Sequence, residues 1–182
     1  CIRDSFKTVD DRRISQLNFE NVSINTDQIV STGDEAEQLL KDAINYGTLC
    51  VSAEAVGSME SCYLKTVEYT KSREQFGQPI SNFQVLQHKM VDMFIETELC
   101  KSLLYKSMID MHENNESKYR SVSALKSQVG ISGKKVGEDA VQLHGGMGVS
   151  EEMSIGHYLK RFISIDSQFG NSHFHLKKFN NS

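Results

Sequence analysis

The sequence predicts a mainly α protein, an antiparallel up-and-down helical bundle preceded by a short β-hairpin. Three observations carry this expectation. Apolar residues recur at three- and four-residue steps through long segments. Short polar connections bearing Gly or Pro join those segments. Alternation of period two is confined to the first stretch of chain.

In chain order, Ile2 to Val9, an Asp10-Asp11 turn, and Ile14 to Val22 with Leu17 and Phe19 on one face read as a hairpin. A two-stranded hairpin is marginal without further strands or a covering helix, so a neighbouring sheet is expected. Thr32 and Glu35 are spaced as a capping box and open a long helix. Its predicted inner stripe is Leu39, Leu40, Ala43, Ile44, Val51, Ala55 and Met59, running on past Tyr63 towards Tyr69. Gly47 and Gly57 lie inside it, each costing up to about 1 kcal/mol against alanine, which close packing on a helix or ligand would offset.

The stretch from Ser72 to Met90 breaks this helix and starts the next. Gly77 and Pro79, the only proline, are the stop signals, and Ser81 with Gln84 is spaced as a capping box. Phe83, Leu86, Met90, Met93, Thr97, Cys100, Leu104, Met108 and Met111 form the predicted seam of a helix from about Ser81 to His112. On local pattern alone, Arg73 reads as a solvated helix-end cation, Phe76 as a buried plug and Gln84 as a capping partner. A third helix, roughly Lys118 to Leu143, carries Val122, Leu125, Val129, Val136, Ala140 and Val141 and is stopped by Gly145, Gly146 and Gly148. Most Gly-Gly turns are only C-caps, although they also let a ligand approach the backbone. Ser150-Glu151-Glu152 is read as capping a shorter helix through about Phe162.

A net charge of -4 without a long basic run argues against nucleic acid as the main partner. No apolar run approaches membrane-spanning length. Cys1, Cys50, Cys62 and Cys100 lack both C-x-x-C spacing and the density of a disulfide scaffold, so a reducing, cytoplasmic setting is expected. The six histidines make no metal constellation, His173 and His175 being two apart. Starting at Cys1 with no initiator methionine, the chain is expected to be a piece of something longer.

Arg73-Glu-Gln-Phe-Gly-Gln-Pro-Ile80 followed by Asn82-Phe-Gln-Val-Leu-Gln-His-Lys89 resembles the turn and following helix of the acyl-CoA dehydrogenase family, flavoproteins that desaturate fatty acyl thioesters. Gln142-Leu-His-Gly-Gly-Met-Gly148 resembles the family's second hallmark. The resemblance implies that residues 1–31 end a middle β-domain and that residues 32–182 form the C-terminal helical domain. It further implies that Arg73, Gln75, Phe76, Gln84, Gln142, Leu143, His144, Gly145 and Gly146 hold the adenine and pyrophosphate end of FAD, commonly across a subunit interface. Arginine suits a pyrophosphate because its fork supplies paired, charge-assisted donors. Implied partners are an acyl-CoA substrate, related subunits in a homo- or hetero-oligomer, and an electron-transfer flavoprotein as acceptor.

The chain departs from the family at the catalytic base. Aligning Arg161 with the family's C-terminal arginine puts Gly170 where a glutamate stands in many members, and the alternative base position on the first bundle helix is Gly47. Three readings follow. The chain resembles bacterial heteromeric-type subunits that lack the usual glutamate and pair with a base-bearing homologue; or another acid, Glu54, Glu151, Glu152 or Asp166, acts as base; or the segment is a flavin-free helical assembly module. Glu54 shares a helical face with Gly47, but an exposed helix glutamate is the commoner fate of such a residue. Residues 1–182 alone are expected not to desaturate acyl-CoA.

Overall fold

A computed structural model describes residues 2–181. Strands β1 (Ile2–Lys7) and β2 (Arg13–Asn18) pair antiparallel, with Phe6 opposite Ile14 and Arg3 opposite Leu17. The expected hairpin is therefore present, shorter than Val9 and Val22 would allow. Its apolar residues Phe6, Ile14 and Leu17 are each at least half exposed, so burial does not hold it in place.

Helix α1 spans Gly33–Ser72, α2 Gln84–His112, α3 Lys118–His144, α4 Ser154–Ser167 and α5 Ser172–Asn180. Helix α3 is the hub, packing against α1, α2, α4 and α5. The core is built from Ala55, Val56, Met59 and Cys62 of α1, Met93, Cys100 and Leu104 of α2, Leu125, Val129, Val136 and Ala140 of α3, and Ile155, Phe162 and Ile165 of α4. Every apolar residue expected on α3 is buried except Val141, which packs at the margin. Burial pushes the Cys62 thiol up to about 12 and that of Cys100 up to about 11, Cys50 is exposed, and Cys1 lies outside the described residues.

Several local expectations give way. The first half of the α1 stripe is not inside: Leu39, Leu40 and Ile44 are exposed, and Asn45, Thr48 and Ser52 are buried instead. Their side chains donate to the carbonyls of Lys41, Ile44 and Thr48, which lets a polar face pack without orphaned donors. Thr32 is the N-cap of α1 but makes no side-chain capping bond. Ser81 lies in a 3-10 turn, Ile80–Asn82, and α2 starts three residues later behind Phe83, so the Ser81–Gln84 capping box does not form. Helix α4 begins at Ser154 rather than behind Ser150. Met108 of the α2 seam faces outward, while Ser107 and Asp110 are buried. Gly57 meets nothing within 4 Å of where a Cβ would stand, so close packing explains Gly47 but not Gly57.

Candidate functional site

The chain leaves α1 at Arg73, whose backbone turns extended, and makes a minimal hairpin, β3 (Glu74–Gln75) with β4 (Gln78–Pro79). Helix α1 thus ends before Gly77 and Pro79 are reached. Phe76 and Gly77 form the two-residue turn with φ of 58° and 79°, both positive, as a tight hairpin with matching twist demands. Phe76 is 91% exposed and meets Phe83 edge-on at 6.0 Å, so it is not a buried plug. The Ile80 N–H donates to Arg73 O at 2.8 Å and fixes the return of the chain.

The glycine-ended helix arrives beside this hairpin. Arg73, Gln75, Gln142, Leu143, His144, Gly145 and Gly146 line one open groove of about 450 Å³, together with Tyr69, Ile80 and Met147. Two segments far apart in sequence therefore converge on one surface. Phe76 and Gln84 do not line the groove: Phe76 is almost wholly exposed at the hairpin turn, and Gln84 sits exposed at the start of α2. Tyr69 and Met147 were not singled out by sequence reasoning, which followed the helix breakers and not the last turn of α1.

His144 shapes the floor. Its imidazole stacks on Tyr69, centroids 4.1 Å apart, and donates from Nδ1 to Ala140 O at 2.8 Å, which places the proton on Nδ1. Burial lowers its pKa, opposed by the bond to Ala140, so the ring is held neutral. Gly145 has φ of 58°, and nothing lies within 4 Å of where a Cβ would stand on Gly145 or Gly146, so the space above both is open. The Arg73 guanidinium makes no ion pair with any described residue. A free cation, side-chain amides and an unobstructed Gly-Gly backbone suit a phosphate-bearing nucleotide.

Elsewhere, the two positions of interest for a base are closed. A Cβ on Gly47 would lie 2.7 Å from Phe169 Cζ; Gly170 has φ of 100°, and a Cβ there would lie 2.5 Å from Phe174 Cδ1. Glu54 is not a free helix glutamate but the partner of Arg161, which lowers its pKa against the opposing effect of burial. Glu151 is paired with Lys160 and Asp166 with Lys134, while Glu152 is exposed. Below Phe169 an apolar cavity of about 530 Å³ opens between α1 and α5, lined by Ile44, Thr48, Phe174 and Lys178 among others. Among the described residues no three His, Cys, Asp or Glu side chains gather as a metal site, and no helix is long and apolar enough to cross a membrane.

The fold defines the class: a five-helix bundle of the kind that forms the C-terminal domain of FAD-dependent dehydrogenases. The family model for the acyl-CoA dehydrogenase C-terminal domain matches residues 38–177, and the chain belongs to that family. It is 27% identical over 145 residues to the short-chain-specific acyl-CoA dehydrogenase of Megasphaera elsdenii, an overlap covering 80% of this chain and 38% of that protein. Among solved structures, butyryl-CoA dehydrogenase from the same organism superposes with a TM-score of 0.91 at 23% identity, covering 98% of this chain and 47% of that one. The ChsE4-ChsE5 complex from Mycobacterium tuberculosis superposes with a TM-score of 0.90 at 21% identity, covering 99% and 48%. The chain thus spans less than half the length of the relatives it matches.

Proposed function

We propose that this chain is the C-terminal part of an FAD-dependent acyl-CoA dehydrogenase, an enzyme that introduces an α,β double bond into acyl-CoA thioesters, and that it serves as the subunit without a base in a heteromer. In this reading residues 1–31 close a middle β-domain, and residues 32–182 supply flavin contacts and an oligomer interface. The observation that carries it is the convergence of Arg73 and Gln142–Gly146 on one groove.

Desaturation needs a carboxylate to take the proton α to the thioester carbonyl and an acceptor for the β hydride. FAD, when bound, supplies that acceptor. The part proposed for this chain is binding: Arg73 pairs with the pyrophosphate, Gln75 and Gln142 donate to phosphate or ribose oxygens, and Gly145 and Gly146 let the nucleotide lie against the backbone. Phe76, standing clear of its own bundle, and Gln84 reach towards a related subunit, so each nucleotide is shared between two chains. Gly47 and Gly170 favour a base supplied by that neighbour. An electron-transfer flavoprotein is the proposed electron acceptor.

The test is expression of the full-length protein alone and together with a base-bearing homologue. Flavin absorbance with bleaching by acyl-CoA only in the co-expressed complex is expected. A colourless protein in both preparations would overturn the proposal in favour of the flavin-free module, and bleaching without any partner would place the base within this chain.

A further inference from the structure

The turn between α4 and α5 is built against the preference of its own backbone. Phe169 and Gly170 are consecutive left-handed residues, with φ of 57° and 100°. For an aromatic residue that conformation persists only where the surroundings hold it. Phe169 is 46% exposed, so burial of its ring is not what holds it.

Two buried side chains from other elements do. Lys126 of α3, fully buried, donates from Nζ to Asp166 O and to Gly170 O, 2.9 Å each. It forms no ion pair among the described residues, because the Asp166 carboxylate is taken by Lys134 at 2.5 Å and by the Ser172 N–H at 2.9 Å. Burial accordingly pulls the Lys126 ammonium down to about 8, partly offset by the Asp166 charge. His175 of α5, also buried, donates from Nε2 to Phe169 O at 3.0 Å, and its Nδ1 has no partner among the described residues. The carbonyls of both left-handed residues, and that of Asp166 before them, are thus fixed from two directions. The Phe169 ring consequently sits on Gly47, in a space that any side chain at position 47 would need.

We propose that Lys126 and His175 are positioning residues that hold Phe169 on Gly47, and that the seated ring closes the bundle side of this protomer's acyl site to both a base and a thioester. The second half of this rests on the base-free subunit described above; the first half does not. Removing the ring frees position 47, whereas position 170 stays closed by its own φ and by Phe174.

The experiment is a set of melting cycles on the full-length protein in its complex. Gly47→Ala is expected to lower the melting temperature by several degrees in the wild-type background and to raise it with Phe169→Leu, where only the helix preference for alanine remains. With Lys126→Met or His175→Leu the Gly47→Ala penalty is expected to shrink, because the released turn lets the ring move; His175→Gln, which keeps a donor, retains it. Penalties that simply add would overturn the positioning role, and the His175 pair decides this even if Lys126→Met fails to fold. Calorimetry with a non-reactive acyl-CoA thioether should show one site for every two chains, rising with Phe169→Ala. Equal stoichiometry with and without the ring would overturn closure. No binding anywhere in the complex would overturn the acyl-CoA reading instead, leaving the melting cycles to judge the positioning role.

Discussion

Arg161 of α4 grips Glu54 of α1 through two parallel bonds, Nε to Oε1 at 2.7 Å and Nη2 to Oε2 at 2.6 Å, and turns its remaining nitrogen to Asp10 in the hairpin turn at 2.8 Å. Arg12 adds a bond to the same glutamate at 3.2 Å. Among the described residues the hairpin has no buried apolar face of its own, so this charged knot is what ties it to the bundle. Burial works against ionisation of Asp10, but hydrogen bonds from Thr8, Ser164 and Arg161 outweigh it and hold the carboxyl well below the usual carboxylate range.

Glu54→Gln is therefore expected to act on stability and hairpin order rather than on proton abstraction. Breaking a buried pair costs about 3–5 kcal/mol, but Glu54 keeps roughly a third of its surface in water, which reduces the expectation to about 1–2 kcal/mol. Urea unfolding should show that loss, and amide exchange should quicken across Ile2–Asn18. A flavin-bleaching rate unchanged by the substitution would accompany it; a collapse in bleaching without any loss of stability would make Glu54 the base after all.

Arg73→Met and Gly146→Ala separate ligand effects from fold effects. Neither residue supports the bundle: Arg73 has no ion pair among the described residues, and a Cβ on Gly146 meets nothing within 4 Å. Both variants should melt with the wild type when flavin is stripped. A charge-assisted bond to phosphate contributes about 1.5–3 kcal/mol, so Arg73→Met should weaken FAD retention by about 10- to 100-fold. Gly146→Ala should weaken it as well, because the methyl group enters the space the nucleotide would fill. Flavin-to-protein absorbance ratios after dialysis would check both.

The helices and both halves of the groove were legible because each is local. Val122 to Ala140 recur at helical spacing, and glycines and a proline lie just past the helix ends at Ser72 and His144. What was not legible depends on partners distant in sequence. Periodicity treats Lys126, Asp110 and Asp166 as surface residues, yet all three are buried, because carbonyls or side chains of other elements satisfy them. Ser81 looked like an N-cap, but the mini-hairpin delivers the chain in a 3-10 turn and delays α2. The outward stripe at Leu39, Leu40 and Ile44 follows an apolar pattern that one bundle alone does not bury.

Acid should weaken the bundle at the α2–α3 connection. Asp110 accepts from Ser121, from Lys106 at 2.9 Å and from Asn115 at 3.1 Å, and these bonds, in that order, pull its pKa down to about 2 against burial. A carboxyl depressed in the folded state binds its proton first in the unfolded chain. Its contribution is therefore complete above about pH 4 and is lost as pH falls towards 2, amounting to about 2 kcal/mol. Asp110→Asn should forfeit that stability at pH 7 and show a flatter dependence between pH 4 and 2 than the wild type, measured by urea unfolding across that range.

Gly130→Ala and Gly57→Ala should move stability in opposite directions. Both sites are inside helices, where alanine is favoured over glycine by up to about 1 kcal/mol. At Gly57 nothing opposes that preference, and the substitution should stabilise by about 0.5–1 kcal/mol. At Gly130 a Cβ would stand 2.2 Å from Asp166 Oδ1 and 2.8 Å from Ser172 Cβ, so Oδ1 must move from its place on the Ser172 N–H, and the Oδ2 bond from Lys134 is disturbed with it. Loosening a buried carboxylate from its donors costs about 1–3 kcal/mol, more than the helix preference returns. Since Asp166 O and Gly170 O share the Lys126 ammonium, the same displacement should disturb the α4–α5 turn and speed amide exchange at Ser172. Thermal melts of the two single variants decide the sign. A stabilised Gly130→Ala would mean that α3 does not approach the turn as closely as the geometry requires.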